Sequence, residues 1–253
     1  MLALKEIGLY LNEYLNVAAF DDDAANGLQV ENSGAVEKVG VAVDACLESI
    51  AKAADAGCSM LIVHHGLFWG RPFLLTGNYY KRISALIRSD IALYASHLPL
   101  DAHPKVGNNA QIARKIGLSS IEPFAQYHGQ PIGMRGRFSA PKKLTDMVQD
   151  LEQVIGPCHA LLQFGPQTIQ TIGVVSGSAS DPDLITQLHD QGIDLFITGE
   201  PKHGAYYLIQ ELGLNIFYGG HYQTERFGPQ ALGEHIEKHF GLPAVYIDAP
   251  SPF

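Results

Sequence analysis

Hydrophobic runs of strand length alternate with helical stretches along the chain, and the same order of landmarks occurs twice. In the first copy, the apolar run at 38–44 is followed by an Ala-rich helical stretch and by a second apolar run at 60–66. In the second copy, the runs at 171–177 and 194–200 take the same places. Runs that stay apolar at successive positions are typical of strands buried on both faces of a parallel sheet. The pattern therefore predicts βαβ units, with a mostly parallel sheet in each half of an α/β protein.

Each copy continues through a further helix to a third strand that ends in histidine. His97 ends this strand in the first copy, and His221 ends it in the second. A carboxylate stands four residues after each histidine, Asp101 in one copy and Glu225 in the other. Matching histidine and acid at the same point of both copies indicates an internal repeat that is more than ordinary strand–helix alternation. The repeat predicts two α/β domains of similar topology.

The stretch between the two copies, roughly 126–166, is rich in glycine and proline. Such a composition is typical of a crossover or of added strands. We therefore predict a first α/β domain at 1–125 and a second at 126–253, with an approximate boundary and a C-terminal segment that is able to pack back on the first domain. A length of 253 residues suits two domains of this kind.

Composition and charge narrow the class of protein. The hydrophobic share of 46% and the charged share of 17% are those of a globular chain, and the net charge of -9 disfavours broad nucleic-acid binding. No apolar stretch approaches the ~20 residues that a membrane span needs. Cys46, Cys58 and Cys158 match no zinc ribbon or disulfide framework, and the charged N-terminus lacks a signal-peptide pattern. These features predict a cytoplasmic protein.

The chemistry-bearing residues stand where parallel strands end. Ligands gather at the carboxyl ends of such strands, and His64 and His65 directly follow the apolar run at 61–63. If the two copies face one another, these residues and the histidine–acid pairs converge in a cleft between the domains. Imidazole and carboxylate together suit Zn, Mn, Fe or Ni, and the lack of cysteine argues against a purely thiophilic metal. The sequence predicts a metal site in the interdomain cleft.

Adjacent residues of a strand point to opposite faces of the sheet, so His64 and His65 would not reach the same site from within a regular strand. They reach one site only if the strand ends there and the chain turns, which Gly66 would permit, or else they serve two neighbouring metals. Two metals ~3.5–4 Å apart need a bridging carboxylate, which Asp101 or Glu225 can supply.

Two local alternatives concern the histidine–acid pairs. His221 and Glu225 have the i, i+4 spacing of an ion pair on a helix surface. Pro99 lies between His97 and Asp101, which favours a shaped loop there over a regular helix.

Six motifs carry a resemblance to a known family, and they lie at residues 26–30, 61–66, 96–101, 107–109, 197–200 and 220–226. With these motifs, essentially the whole chain resembles the GTP cyclohydrolase 1 type 2 homologs, the NIF3-like dinuclear-metal proteins. The resemblance implies two interlinked α/β domains, a toroidal homohexamer and two divalent cations per subunit between the domains. It implies the metal ligands His64, His65, Asp101, His221 and Glu225, with Glu225 bridging.

Two functions of different classes follow. The first is metal-dependent hydrolysis of a nucleotide-like small molecule, with His97 as the candidate for a general acid–base or supporting role. The second is a non-catalytic, metal-dependent ring that acts as a scaffold or binds a nucleotide. An open coordination position would favour the enzyme, and saturated coordination would favour the scaffold.

Overall fold

The computed structural model describes residues 1–70 and 73–253 and has the predicted α/β character. The strands are β1 Leu2–Ala3, β2 Gly27–Val30, β3 Ala35–Val36, β4 Val39–Asp44, β5 Met60–His65, β6 Ala92–Ala95, β7 Ser119–Tyr127, β8 Gln130–Lys143, β9 Ala160–Gln163, β10 Thr168–Val174, β11 Leu195–Thr198, β12 Asn215–Tyr218 and β13 Ala244–Tyr246. The α-helices are α1 Leu4–Tyr14, α2 Leu47–Asp55, α3 Gly77–Arg88, α4 Leu98–Ala102, α5 Asn108–Lys115, α6 Leu144–Val154, α7 Pro182–Asp190, α8 Tyr206–Glu211, α9 His221–Glu225 and α10 Phe227–Phe240. Across these described ranges, no helix combines the length and the apolar character needed to cross a membrane.

The chain divides into two compact units. The first comprises Met1–Leu100 and Gly228–Ala249, and the second comprises Asp101–Phe227 and Pro250–Phe253. The predicted boundary at 125/126 lies within β7, which is hydrogen-bonded to β8 in the sheet of the second unit. The segment that contains α10 and β13 belongs to the first unit, since β13 pairs with β4 in parallel.

The first unit contains a sheet with the strand order β13-β4-β5-β6-β2. The pairs from β13 to β6 are parallel, and β2 is antiparallel at one edge, so the prediction of a mostly parallel sheet is confirmed here. Leu61 and Val63 of β5 pack into a buried cluster with Ile50 of α2 and Leu86 of α3. The continuous apolar runs in the sequence reflect strands that are covered on both sides.

The second unit contains a sheet with the strand order β7-β8-β10-β11-β12-β9. Only the β10–β11 and β11–β12 pairs are parallel, so the prediction of a mostly parallel sheet is wrong for this half. The Gly- and Pro-rich stretch forms β8 and β9, which pair antiparallel with their neighbours. The β7–β8 turn at His128 and Gly129 has φ of 47° and 79°, the conformation of a tight hairpin turn of the primed type.

Alternation along the strands of the second unit builds a core on each face of its sheet. Leu195 and Ile197 of β11 belong to one buried cluster, whereas Phe196 between them belongs to another. The same alternation separates Phe217 from Tyr218 in β12. Removing a fully buried aromatic ring such as that of Phe217 typically costs roughly 3–5 kcal/mol. These cores hold the strand ends that carry the candidate site.

The segment around Pro99 differs from its prediction. Residues 98–102 form the helix α4 and not a loop. Proline is accepted in the first turn of a helix because the N–H that it lacks would have no partner within the helix there. Asp101 is therefore presented from a short helix.

Candidate metal centre

Three histidines meet at the carboxyl ends of β5 and β6 in the first unit. His64 and His65 are the last residues of β5, and His97 follows β6. One ring nitrogen from each of the three lies within 4.8 Å of the others, so the group can hold a metal ion. The ring centroid of His64 lies 4.6 Å from that of His65 and 5.1 Å from that of His97. The sequence rule about strand ends predicted this grouping.

Each of these imidazoles is held through its Nδ1 atom by an oxygen. The pairs are His64 with the Ser96 carbonyl at 3.0 Å, His65 with Asp44 Oδ1 at 2.9 Å, and His97 with Asp22 Oδ1 at 2.9 Å. A carbonyl or an ionised carboxylate accepts a hydrogen bond, so in each pair Nδ1 carries the proton and donates it. The lone pair is then on Nε2, as it usually is in histidines that ligate metals through Nε2.

Gly66, after the two neighbouring histidines, is required by close packing. A Cβ at this position would lie 2.3 Å from Nε2 of Gln29 and 2.6 Å from Cβ of Ala95. The Gln29 side chain reaches past the glycine, and its Oε1 accepts a hydrogen bond from the Leu67 N–H at 2.8 Å. The strand β5 ends at His65, and this is the condition under which the rings of His64 and His65 can reach the same site. The small residue therefore lets the chain leave the strand end without displacing its neighbours.

Asp22 is the centre of a hydrogen-bond network around His97. Its carboxylate accepts hydrogen bonds from the Ala24 and Leu98 N–H groups at 3.1 Å, from Asn26 Nδ2 at 2.9 Å, and from His97 Nδ1. Burial raises the pKa of Asp22, but the hydrogen bond and charge of His97 and the other donors outweigh burial and lower it to about 2. The carboxylate is therefore ionised at neutral pH and fixes the orientation of the imidazole.

The second unit brings together Asp101, His221 and Glu225. Asp101 is 6% exposed, and its Oδ1 accepts hydrogen bonds from Asn108 Nδ2 at 2.8 Å and from Ser176 Oγ at 2.9 Å. An oxygen of Asp101 lies within 4.8 Å of an oxygen of Glu225, which is 2% exposed. Buried carboxylates cost free energy unless hydrogen bonds or cations compensate them. Their proximity suits a group of ligands for a cation.

The helix α9 carries both members of the second histidine–acid pair. His221 Nε2 lies 3.1 Å from Glu225 Oε2, and His221 Nδ1 lies 3.0 Å from Glu200 Oε1. The Glu225 side chain is only 3% exposed. The i, i+4 pair therefore exists on a helix, but its acid is buried, which excludes the alternative of an exposed surface ion pair.

Two glycines and a threonine shape the pocket around Glu225. Gly177 has φ +67°, and a Cβ on it would lie 2.2 Å from Glu225 Oε1. The Gly177 N–H donates to Thr224 Oγ1 at 3.0 Å, and Thr224 Oγ1 donates to the Gly220 carbonyl at 2.9 Å. Gly220 has φ +90°, and a Cβ there would meet the ring of His159 at 2.7 Å. Both glycines are required by their backbone conformation and by the space beside them.

Each unit thus gathers half of the predicted residues: the first holds His64, His65 and His97, and the second holds Asp101, His221 and Glu225. Sequence reasoning missed the groups that orient them. Asp44 ends β4, so the strand-end rule could have found it. Asp22 lies outside the strands and helices, and no pattern rule points to it. The donor set is imidazole and carboxylate, which fits borderline divalent cations such as Zn, Mn, Fe or Ni.

Comparison with known proteins gives the same family along the whole chain. The family model Duf34/NIF3 (NGG1p interacting factor 3) matches residues 2–252. A protein of Archaeoglobus fulgidus named GTP cyclohydrolase 1 type 2 homolog is 43% identical over 248 residues, covering 98% of each chain. A protein of the same name from Deinococcus radiodurans is 39% identical over 246 residues, covering 97% of this chain and 93% of its own.

A solved structure agrees with these relatives. The crystal structure of TTHA1606 from Thermus thermophilus superposes with a TM-score of 0.90 at 42% identity, covering 100% of both chains. The family indicated by the sequence motifs is confirmed. The chain belongs to the Duf34/NIF3 (NGG1p interacting factor 3) family.

Proposed function

We propose that the chain is a metal-dependent hydrolase of a nucleotide-like small molecule. The residues that would hold two divalent cations per subunit are His64, His65, Asp101, His221 and Glu225. The native metal is Zn, Mn, Fe or Ni. The observation that carries the proposal is the group of three histidines, in which one ring nitrogen of each lies within 4.8 Å of the others and each Nδ1 is hydrogen-bonded to an oxygen. The name GTP cyclohydrolase 1 type 2 homolog of the relatives supports a nucleotide-like substrate.

The chemistry of the residues fits a pair of cations. The buried carboxylates Asp101 and Glu225 are hard oxygen donors, and the imidazoles are borderline nitrogen donors. When bound, two divalent cations supply a water made acidic near neutral pH and polarise the oxygen of an electrophilic group. The chain itself supplies the orientation of the ligands through Asp44, Ser176 and Asn108.

His97 has the role of a general acid–base in this proposal. Asp22 holds its Nδ1–H, which leaves Nε2 able to take and return a proton. A carboxylate that orients an imidazole in this way also stabilises its protonated form, as in other histidine–carboxylate pairs. The ionised state of Asp22 at neutral pH favours that function.

Matched variants test the proposal. Purified protein, the variants His65→Ala and His97→Ala, and the control His189→Ala are assayed for metal content and for turnover on a panel of nucleotides and phosphoesters. His189 is exposed and pairs with Asp190, so its loss should change neither quantity. His65→Ala should lose metal and activity together, whereas His97→Ala should retain metal and lose at least about tenfold in turnover.

Two results would contradict the proposal. Full metal content and turnover in His97→Ala would remove the acid–base role. Metal-loaded protein that turns over none of the panel would favour the non-catalytic scaffold, in which the cations only hold the ring together.

Two further properties belong to the same proposal. Assembly as a toroidal homohexamer follows from the family resemblance, and the mass of the particle in light scattering tests it. A cytoplasmic location is supported by Cys46, Cys58 and Cys158, which are all free thiols. Fractionation of cells that produce the protein tests that location.

A further inference from the structure

Glu200 lies beside His221 at the carboxyl ends of two neighbouring strands of the second unit. Glu200 follows β11, and His221 follows β12, which pairs with β11 in parallel. Glu200 Oε1 lies 3.0 Å from His221 Nδ1. The distance between these two atoms is that of a hydrogen bond from the imidazole to the carboxylate.

The backbone of Glu200 is held by hydrogen bonds on both sides. Its N–H donates to the Gly177 carbonyl at 3.0 Å, and its carbonyl accepts a hydrogen bond from Ser180 Oγ at 3.3 Å. Gly199 allows the two strand ends to approach closely, because a Cβ there would lie 2.8 Å from Cα of His221 and 2.5 Å from the Gly177 carbonyl oxygen. The Glu200 carboxylate therefore extends toward His221 from a fixed position.

Two carboxylates compete for the proton of the neutral His221 imidazole. Glu225 Oε2 lies 3.1 Å from Nε2, and Glu200 Oε1 lies near Nδ1. In a neutral imidazole only one of the two nitrogens carries a hydrogen. If Nε2 carried it, Glu225 would accept that hydrogen and the nitrogen would have no lone pair for a cation. If Nδ1 carries it, Glu200 accepts it, and the lone pair of Nε2 lies on the side of Glu225.

The first unit contains a pair of the same kind. Asp44 ends β4, and its Oδ1 lies 2.9 Å from Nδ1 of His65 on the neighbouring parallel strand β5. In both units, a carboxylate at the end of one strand lies beside Nδ1 of a histidine at the end of the next strand. Carboxylates are common partners of metal-ligating histidines, and their loss typically weakens metal binding about 10–100-fold.

We propose that Glu200 is a positioning residue, which keeps the proton of His221 on Nδ1 and so leaves Nε2 available to a divalent cation. The inference rests on the proposed function, in which His221 and Glu225 hold the cations. Glu200 supplies no ligand atom in this assignment and acts only through the imidazole.

NMR of isotope-labelled histidine tests the proposal, because it reports which nitrogen carries the hydrogen. Full-length, metal-free protein is compared with Glu200→Ala and Glu200→Gln under alkaline conditions, in which imidazole is neutral. The Glu200 side chain is 38% exposed, so its removal should leave the core intact. We expect the Nδ1–H tautomer of His221 in the unaltered protein and the Nε2–H tautomer in Glu200→Ala. Glu200→Gln should keep the Nδ1–H tautomer, because its amide oxygen still accepts the hydrogen.

Calorimetric titration with Zn²⁺ measures the consequence for cation binding. The control is Glu211→Ala, which removes the same charge from an exposed position at the end of α8 in the same unit. Glu200→Ala should bind Zn²⁺ about ten- to a hundredfold more weakly than this control, and Glu200→Gln should recover part of the loss.

Two results would overturn the inference: an unchanged His221 tautomer in Glu200→Ala, or a Zn²⁺ affinity of Glu200→Ala equal to that of Glu211→Ala. Failure of the proposed function has a different signature. In that case the unaltered protein would bind no Zn²⁺ or turn over no substrate, while the tautomer, which is measured without metal or turnover, would still change on removal of Glu200.

Discussion

Replacing Asp22 by asparagine tests the network that orients His97. The side chain is 3% exposed, and its two oxygens accept hydrogen bonds from four donors. Asparagine keeps the shape but replaces one oxygen with an N–H₂ group, so donors would face donors. A pKa lowered from 3.8 to about 2 corresponds to about 2.4 kcal/mol in favour of the ionised carboxylate in the folded chain, at about 1.4 kcal/mol per tenfold change. We expect Asp22→Asn to lower the free energy of unfolding by about 2 kcal/mol at pH 7.

The dependence on pH separates this effect from simple loss of packing. Because the pKa of Asp22 is lower in the folded chain than in the unfolded chain, the unfolded chain binds the proton more tightly. The stabilisation is therefore complete above pH ~4 and is lost as the pH falls from ~4 to ~2. At pH 3 the contribution of the ionised carboxylate should shrink to about 1 kcal/mol.

Urea unfolding of the unaltered protein and of Asp22→Asn at pH 7 and pH 3 measures both values. Asp23→Asn is the matched control, because this neighbouring acid is exposed and should change stability by less than about 0.5 kcal/mol. Equal losses in the two variants, or a loss for Asp22→Asn that is the same at both pH values, would refute the reasoning.

Three further predictions concern the second unit and the cations. Gly177→Ala should cost about 1–2 kcal/mol for its left-handed backbone and should also weaken cation binding, because its Cβ would displace Glu225. Gly192→Ala, at φ +64° with nothing within 4 Å, should cost stability alone, so equal cation affinity in the two variants, measured by calorimetry, would contradict the role of Gly177. Thr224→Val should lower the free energy of unfolding by about 1–3 kcal/mol, because the Gly177 N–H and the Gly220 carbonyl would lose the hydroxyl to which both are hydrogen-bonded. An unchanged midpoint of urea unfolding would contradict the importance of these two hydrogen bonds. Removing the cations with a chelator should lower the melting temperature, because a cation present at 100 times its dissociation constant stabilises the folded state by about 2.7 kcal/mol. A melting temperature that does not change when chelator is added would contradict the presence of bound cations.

Several features of this protein could be predicted from residues close together in the chain. The apolar run before His64 and His65 predicted a buried strand, and β5 has that position because such a run satisfies both faces of a covered sheet. The carboxyl-end rule then predicted that the histidines of neighbouring parallel strands would lie together, and β5 and β6 bring His97 to them. Hydrophobic periodicity and the alternation of strands with helices belong to short stretches of the chain, so the α/β class and the grouping of the histidines at the ends of β5 and β6 follow from sequence.

Other features were decided by contacts between residues far apart in the chain. The antiparallel strands β8 and β9 depend on which edges of the second sheet they pair with, and a Gly- and Pro-rich composition does not specify a partner. Asp22 holds His97 from 75 positions away, and Gly177 is required because Glu225 packs against it. The sequence by itself determined which side chains stand at strand ends, because hydrophobic periodicity encodes secondary structure. Only the tertiary structure decided which oxygens orient them, because hydrogen-bond partners and space around a glycine arise when distant segments pack.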